Sequence, residues 1–527
     1  MSSRESSTAK EQIKRTAGEN TVGEEMRTGN LGRQTGAALI LYFPTIVIQG
    51  LVGLCTASLL SKFFAPAEYG HFVLAHGVYL GLSMVTGLWI ERAIARFIPE
   101  FRTGSRYPEL LRTVLVSQAL VVLCFTALCL FLLFVFKHTM APQLYSLMIV
   151  AVIGSAFLSL FTPISSAYWV SGRSTVYVGL TLLRVLGGLG SGLFLALHLN
   201  LGMKGFFIGL NIPIAATVVW VGASKFFRIV TILRQYRFSV AVLRDLVSYS
   251  APLVCMQLTA LVLGMADRYF IQAYAGSSEV AVYSIGHMIA YQWMQIVLVV
   301  LTTASDPVMF RSWEEQGQHV TVDYLNRMLR YYTLCAVPFL AALLLLGKEL
   351  VSLVSTRDYF PAVPIMGYVG LAAFMHGYTQ MLNRTYALRK RTGEPFINFL
   401  AASIVNVGLN SMLVPVFGFV SAAWSLVISY AVLLVITYIR SRRLLSLEIG
   451  RVYLLKSLLA SAGMAVVLWF CRHVSLPLVP RLMVCAIAGF ISYSTLIICL
   501  RGVTPSETRL FSGWLKRYLP RIKGAFA

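Results

Sequence analysis

The sequence predicts an all-α integral membrane protein with about fourteen transmembrane helices. Hydrophobic residues make up 57% of its 527 residues, and charged residues make up only 12%. A soluble domain is about 25% charged, so a surface with so few charges must face lipid over most of its area. The apolar runs are about 20 residues long and do not alternate with polar residues. Such runs match helices that cross a hydrocarbon core of about 30 Å, and they exclude a β-barrel, the other fold that satisfies the backbone in lipid.

Fourteen apolar runs, separated by turn or charge signals, are the predicted spans. They cover residues 37–60, 70–91, 110–136, 144–169, 176–197, 203–223, 248–270, 279–304, 331–355, 361–383, 394–413, 417–439, 456–473 and 482–500. The longest internal loops between them are only about 25 residues and are predicted to be cytoplasmic. We therefore expect no soluble catalytic domain.

The distribution of basic residues predicts the orientation of the chain. The net charge of +23 does not indicate a surface that binds nucleic acid, because the charges fall at intervals between the apolar runs. With both termini in the cytoplasm, 35 of the 44 Lys and Arg residues lie on the inner side. Eight lie on the outer side, and Arg184 alone lies deep inside a span. This bias follows the positive-inside rule, and a missed span would destroy it.

Internal similarity predicts a chain built from two halves, as in transporter folds made of repeats. The short outer loops after the first and seventh spans each place a Glu, Glu68 or Glu279, just before a helix start. The predicted regions are a disordered cytoplasmic tail (1–36), a six-helix bundle (37–223), a basic cytoplasmic linker (224–247), a second six-helix bundle (248–440), an extra helix pair (441–500) and a basic cytoplasmic tail (501–527).

Motifs for enzymes, cofactors and metals are missing from the sequence. There is no GxxxxGK[ST] phosphate loop and no HExxH motif. The eight cysteines lie in or near apolar runs, and none forms a CxxC pair. We therefore expect no catalytic residues, no cofactor, no metal site and no direct use of ATP.

Three short stretches carry a family resemblance over about residues 37–440. They are FAPAEYGHF at 64–72, SYSAPL at 248–253, and DRYFI at 267–271 followed by EVAVY at 279–283. Together they resemble the Wzx-type polysaccharide flippases, in the superfamily that includes MATE exporters and lipid II flippases. The family has a glycine where this chain has Ala281.

The resemblance implies a fold and a function. The fold would be two six-helix bundles in a V-shaped, MATE-like arrangement, here with an extra C-terminal helix pair. The function would be to move a polyprenyl-pyrophosphate-linked oligosaccharide across the bacterial inner membrane by alternating access, for exopolysaccharide or O-antigen synthesis. The implied partners are this lipid-linked oligosaccharide, membrane lipids, and a polysaccharide polymerase with its export machinery, but no nucleic acid.

Four arginines are candidate substrate-binding residues. Arg184 lies about eight residues into its span, roughly 12 Å along a helix. A charge at such depth costs about 2.5–3.5 kcal/mol on insertion scales and is a functional candidate by default. We expect backbone carbonyls or a mobile anion to face it. Arg92 and Arg96, four residues apart, would share one helix face, although ordinary positive-inside anchors explain them too. Arg268 has a candidate ion-pair partner in its neighbour, Asp267.

Three further residues are candidates for structural or gating roles. Asp267 is expected to pair with Arg268 at the outer end of its helix. Glu68 precedes the start of the second span, and Pro252 lies in the seventh, where it would kink the helix.

Two other function classes are alternatives to a flippase. A MATE-like exporter of cationic drugs would need an acidic, aromatic cavity, yet the deepest charge here is Arg184. An integral-membrane glycosyltransferase or polysaccharide polymerase would carry a large outer loop, which this chain lacks.

Overall fold

The computed structural model describes residue 45 and residues 48–101, 107–391, 393–448 and 450–502. The predicted cytoplasmic tails, 1–36 and most of 501–527, lie outside the described residues, as does the start of the first predicted span. The chain is helical throughout the described part, apart from short turns.

The helices are numbered in chain order. They are α1 (Ile48–Phe63), α2 (Pro66–Ser83), α3 (Trp89–Phe101), α4 (Tyr107–Val135), α5 (Pro142–Val170), α6 (Ser174–Leu182), α7 (Gly188–Leu193), α8 (Gly202–Ser224), α9 (Phe226–Gln235), α10 (Val240–Tyr274), α11 (Ser277–Glu315), α12 (Gln318–Val354), α13 (Val363–Leu388), α14 (Glu394–Phe417), α15 (Val420–Arg442), α16 (Arg451–Cys471) and α17 (Leu478–Cys499).

The prediction of about fourteen membrane helices is confirmed. Among the described residues, 13 helical segments are long and apolar enough to cross a membrane, and they correspond to the second through the fourteenth predicted spans. The shorter helix α1 corresponds to the first. Large apolar side chains point outward; on α4, for example, Leu123 is 67% exposed and Phe131 is 62% exposed. These outward side chains suit a surface that faces lipid.

Two spans contain π-helical turns that divide them into separate helices. Met84–Leu88 joins α2 to α3, and Leu183–Gly187 joins α6 to α7. A second π-helical turn, Phe194–His198, ends the α7 span. Each π-helical turn breaks the regular i→i−4 pattern of hydrogen bonds and changes which way the following side chains point.

The predicted loop between the eighth and ninth spans is wrong, because both helices continue through it. Helix α11 ends at Glu315 and α12 begins at Gln318. The turn between them contains Gly317 with φ 83°, a left-handed conformation that favours glycine. Hydropathy marks where a helix leaves the hydrocarbon region, but backbone hydrogen bonds allow the helix to continue into water.

The basic linker predicted at 224–247 is also largely helical. Helix α9 occupies Phe226–Gln235, and α10 begins at Val240, before the predicted start of its span. Phe227 of α9 is 85% exposed, whereas Ile232 is buried. An exposed aromatic beside Arg228 and Lys225 is typical of a helix that lies at a membrane surface.

The two halves of the molecule share one packing pattern. In the first half α2 packs on α5, α5 on α8, and α7 on α8. In the second half α11 packs on α13, α13 on α15, and α14 on α15. These pairs join the second, fourth, fifth and sixth spans of each half in the same way. The halves meet where α2 packs on α11 and where α3 packs on α10.

The extra C-terminal pair attaches to the second half through α12. Helix α16 packs on α12, and α17 packs on α16 and α12. Polar contacts hold α16 near both ends: Arg330 Nη1 donates to Tyr453 Oη at 3.4 Å, and Arg472 lies 3.7 Å from a carboxylate oxygen of Glu349. Between them, Tyr493 Oη of α17 donates to the carbonyl of residue 334 at 2.6 Å. The pair is therefore an addition to the outside of the two-half core.

Candidate functional site

A cavity of about 520 Å³ lies between the two halves. The first half lines it with α1, α2, α5, the π-helical turn after α6, and α8, and the second half lines it with α10 and α11. Two candidate residues from the sequence, Arg184 of the first half and Arg268 of the second, both line this cavity. The fold therefore brings together two cationic groups that are 84 positions apart in the sequence.

Arg184 lies in the π-helical turn Leu183–Gly187 and is half-buried. π-Helical turns occur frequently at functional sites. Its Nη2 donates to Oε1 of Gln49 on α1 at 3.4 Å, which is long for a hydrogen bond. The partner within the described chain is therefore a neutral side-chain amide, where the sequence led us to expect backbone carbonyls or an anion. The positive charge of Arg184 is left uncompensated by any described carboxylate.

Glycines hold the segment that carries Arg184 close to α8. A Cβ atom added to Gly188 would lie 3.3 Å from the carbonyl oxygen of Leu210, and one added to Gly209 would lie 2.4 Å from Cα of Gly192. Small residues allow such close approach of helix backbones in membranes. These glycines therefore allow the backbone of α8 to approach the segment that carries Arg184.

Arg268 belongs to a buried ion pair with its neighbour. Asp267 is fully buried, and its Oδ1 accepts from the backbone N–H of Arg268 at 2.9 Å and from Arg268 Nη1 at 3.0 Å. Tyr283 donates its hydroxyl to the other carboxylate oxygen of Asp267. The guanidinium also donates from Nε to Ser284 Oγ at 3.2 Å and from Nη1 to the carbonyl of Gly264 at 2.7 Å. Its Nη2 has no hydrogen-bond partner among the described residues and remains available to a ligand.

The pair lies in the last two turns of α10, close to the end of the helix. Helix α10 continues to Tyr274, and Asp267 is 0% exposed. Two adjacent ionised groups suggested a membrane boundary, because each alone is expensive in hydrocarbon. The two groups neutralise each other and share several hydrogen bonds, which lowers the cost of burying them there.

The other polar groups of the cavity were not singled out by the sequence. They include Gln49 of α1, His76 of α2 and Gln292 of α11. Tyr69 and Tyr79 of α2 also line it, whereas no Asp or Glu is among the lining residues that the structure describes. The lining is therefore cationic and rich in neutral polar groups, a composition that suits an anionic ligand with polar substituents.

The remaining candidates lie away from the cavity lining. Arg92 and Arg96 are exposed on α3, and neither lines the cavity. Glu68 lies half-buried in the first turn of α2. Pro252 lies inside α10 with an exposed side chain. The structure thus brings together two of the four candidate arginines and leaves the other two on a different surface.

The two halves close tightly at the end of the cavity where α2 and α11 begin. A Cβ atom on Gly70 would lie 1.9 Å from the carbonyl oxygen of Ser277. One turn and more along α2, a Cβ atom on Gly77 would lie 2.7 Å from Tyr269 Oη. Tyr269 also donates to the carbonyl of Leu74 at 3.2 Å. The conformation is therefore closed at this end.

Helices α2 and α11 each contain an aromatic residue whose ring packs on a histidine four residues later. In α2, Phe72 stacks on His76, with ring centroids 5.6 Å apart. In α11, Tyr283 and His287 are 6.0 Å apart, and His287 stacks on Tyr291 at 5.5 Å. The equivalent positions of the two halves thus hold similar rings. The ring cluster of the second half is the more polar of the two, because the hydroxyl of Tyr283 donates to Asp267.

Comparisons with known proteins agree with this fold. A family model described as polysaccharide biosynthesis protein matches residues 37–313, more than half of the chain. A second model, described as MatE, matches residues 252–412. No curated protein matches the sequence.

Solved structures show the same fold at low sequence identity. The structure of "Lipid II flippase MurJ, inward closed conformation" is similar with a TM-score of 0.69 and 16% identity, over 88% of this chain and 99% of that one. An inward-facing multidrug resistance MATE family transporter of the MOP superfamily gives a TM-score of 0.59 and 16% identity, over 77% and 97%. An outward-facing MATE transporter gives 0.54 and 15% identity, over 78% and 94%. The fourteen-helix, MATE-like architecture predicted from the sequence is confirmed.

Proposed function

We propose, since the chain belongs to the polysaccharide biosynthesis protein family, that it is a flippase for a polyprenyl-pyrophosphate-linked oligosaccharide. It acts by alternating access in the bacterial inner membrane, with both termini in the cytoplasm. Its cargo is an intermediate of exopolysaccharide or O-antigen synthesis, handed on to a polysaccharide polymerase and export machinery. The prediction of a transporter and not an enzyme agrees with the family and with the fold.

The observation that carries this proposal is the pair of arginines in the cavity between the halves. Arg184 and Arg268 come from opposite halves and line one space. A guanidinium forms bidentate, charge-assisted hydrogen bonds to phosphate oxygens. A pyrophosphate between them would therefore contact both halves at once, which is the arrangement that rocking bundles need in order to carry a ligand.

Neutral polar groups around the arginines support a glycan as the rest of the cargo. Gln49, Gln292 and Ser284 line the same cavity and offer donors and acceptors to sugar hydroxyls. The polyprenyl tail would stay in the bilayer, where it needs no protein site. Arg92 and Arg96, exposed on α3, are proposed contacts for the headgroup outside the cavity.

Gating roles are proposed for three residues at or near the contact between the halves. Asp267 holds Arg268 in place through the buried ion pair. Glu68 lies two residues before Gly70, which meets α11, and Pro252 lies in α10, the helix that packs on α3. Their proposed function is to keep the helices that move in a defined geometry.

A MATE-like exporter of cations fits the cavity less well. Such a ligand would need carboxylates, and within the described part of the chain no Asp or Glu lines the cavity. Asp267 lies behind Arg268 and is already bonded to it and to Tyr283. Polar cavity groups that donate, together with an uncompensated Arg184, favour an anion.

Complementation in cells tests the proposal. A strain that lacks its own copy of the gene should regain surface polysaccharide when it expresses the wild-type chain. It should fail with Arg184→Ala made in normal amounts, and it should accumulate the lipid-linked oligosaccharide on the inner leaflet. Restored resistance to cationic drugs with no effect on polysaccharide would instead identify an exporter.

A further inference from the structure

A second basic pocket lies where α13 and α15 end and α14 begins, away from the central cavity. It has a volume of about 270 Å³ and is lined by Arg391, Glu394, Arg440, Arg443 and Leu444. None of these residues lines the central cavity. Three guanidinium groups and one carboxylate therefore surround a small space at one end of the second half.

Buried side chains fix the central arginine of this pocket. Arg440 Nη1 donates to Oδ1 of Asn398 at 2.8 Å. Asn398 is fully buried, and its Nδ2 donates to Thr437 Oγ1 at 3.3 Å and to Tyr386 Oη at 3.4 Å. Thr437 and Tyr386 are fully buried too. Arg440 is thus held in one orientation by a hydrogen-bonded group in the interior, unlike a free surface arginine.

The charges of the pocket are only partly balanced within the described chain. Glu394 accepts from Arg391 Nη1 at 3.1 Å. Arg440 has no carboxylate partner, and the side chain of Arg443 makes neither a hydrogen bond nor an ion pair with any described residue. The pocket therefore carries two positive charges in excess, and an anion would complete it.

Exposed apolar side chains extend from the pocket along both helices that border it. On α14, Ile397 and Ile404 lie three and ten residues after Glu394, on the same helix face, and are 50% and 65% exposed. On α15, Ile439 lies four residues before Arg443 and is 51% exposed. An anion with an acyl chain would therefore meet arginines at its head and apolar side chains along its tail.

We propose that this pocket binds the phosphate group of an anionic membrane lipid. Basic pockets between the ends of transmembrane helices are suited to anionic lipid headgroups, and a planar guanidinium fork matches phosphate oxygens. The lipid bridges the start of α14 and the end of α15 in the second half. This lipid belongs to the surrounding membrane, and its site is separate from the cavity proposed for the transported cargo.

A neighbouring arginine provides a matched control. Arg442 lies between Arg440 and Arg443 in sequence and carries the same charge, but it does not line the pocket. Its guanidinium lies 5.5 Å from the ring centroid of Tyr438. Loss of Arg442 changes the charge of the surface by the same amount and leaves the pocket lining intact.

The test measures lipid binding to the purified full-length protein in detergent by native mass spectrometry. Phosphatidylglycerol is the probe, and zwitterionic phosphatidylcholine is the headgroup control. The wild-type chain should retain phosphatidylglycerol preferentially. Arg443→Gln and Arg440→Gln should each weaken it about fivefold, and the double variant about 25-fold, whereas Arg442→Gln should leave it unchanged.

Two results would overturn the proposal. An equal loss with Arg442→Gln and Arg443→Gln would mean that the lipid senses only the general positive charge of this surface. Displacement of the lipid by millimolar inorganic phosphate at equal affinity would mean that the pocket takes free phosphate and that the acyl chain plays no part. The side chain of Arg443 is exposed and makes no hydrogen bond or ion pair with a described residue, so its substitution should leave folding intact, and an unchanged thermal transition of that variant verifies this.

Discussion

The two arginines of the central cavity differ in how their charge is compensated. Arg268 is bonded to the fully buried Asp267, so this pair contributes little net charge to the cavity. Among the described residues, the hydrogen-bond partner of Arg184 is the neutral amide of Gln49, at 3.4 Å. Arg184 is therefore the main source of net positive charge in the lining. Arg268 contributes mainly a hydrogen-bond donor whose orientation is fixed by its other bonds.

Substitution of Arg184 tests its role as the anion anchor. Arg184→Ala should lower transport about tenfold or more, because a hydrogen bond to a charged group contributes roughly 1.5–3 kcal/mol. Arg184→Lys should fall between wild type and Arg184→Ala, because it keeps the charge and loses the planar fork. Arg173→Ala, at an exposed arginine before α6, is the matched control. Wild-type transport by Arg184→Ala made in normal amounts would place the cargo site elsewhere.

The buried pair of Asp267 and Arg268 should act mainly on stability. Asp267→Asn leaves the arginine charge unpaired and should destabilise the protein by about 3–5 kcal/mol, measured as a lower thermal transition in detergent. The double variant Asp267→Asn/Arg268→Gln should regain part of that stability but not transport. Losses that simply add in the double variant would contradict a coupled pair.

Charged site residues were predictable from the sequence, whereas neutral ones were not. Arg184 and Arg268 stand out because an ionisable group in an apolar run is costly. Gln49, His76 and Gln292 resemble the many polar residues that only join helices, and their place in the cavity depends on how the halves pack. Arg92 and Arg96 share a helix face as predicted from their spacing, but spacing does not reveal whether that face meets a cavity.

At the scale of elements, the contact between α2 and α11 determines how closely the halves meet. A Cβ atom on Gly70, the glycine of the motif, would lie only 1.9 Å from the carbonyl oxygen of Ser277. The equivalent position of the second half, Ala281, is fully buried. The glycine of the FAPAEYGHF motif is thus explained by packing between the two halves.

A side chain at residue 70 should therefore force the halves apart at this end. Gly70→Ala should raise the labelling rate of a cysteine placed at Met288, which lines the cavity, in a background without the native cysteines. Gly179→Ala is the control, because a Cβ there meets nothing within 4 Å. Equal labelling in both variants would show that the α2–α11 contact does not limit access.

Helix type and order were predictable, but helix ends were not. Apolar runs of transmembrane length have only one common solution in lipid, so all the spans within the described residues appear where they were expected. The continuation of α11 and α12 toward Gly317 was missed because a membrane helix can continue into water through polar residues, where hydropathy no longer marks it. The π-helical turn at Arg184 was also missed, since it depends on contacts with α8 that the local sequence does not reveal.

For the whole molecule, the repeated packing of the halves and the cavity between them suggest a rocking motion. One end is closed by α2 against α11, so the cavity must open elsewhere for a ligand to enter. Such motion requires both halves to have the same orientation in the membrane, with an even number of spans before α10. The topology is therefore an essential part of the mechanism.

Reporter fusions test that topology. Fusions after Lys225, at the junction of α8 and α9, and after Ala527 should both report a cytoplasmic location, because 35 of the 44 basic residues then face inward. A fusion after Lys137, at the end of α4, should report the opposite side. A periplasmic signal at either of the first two sites would rule out the fourteen-span arrangement.

Reconstituted flipping tests the central claim most directly. Liposomes that contain the purified chain and a polyprenyl-pyrophosphate oligosaccharide with a fluorescent label on the sugar are exposed to a membrane-impermeant quencher. Without a flippase about half of the label is protected, because it lies in the inner leaflet. The wild-type chain and Arg173→Ala should expose nearly all of it without ATP, driven by an ion gradient or by equilibration alone, and Arg184→Ala should expose the protected half at least tenfold more slowly. Protection of half of the label by the wild-type chain, with and without an ion gradient, would contradict the account.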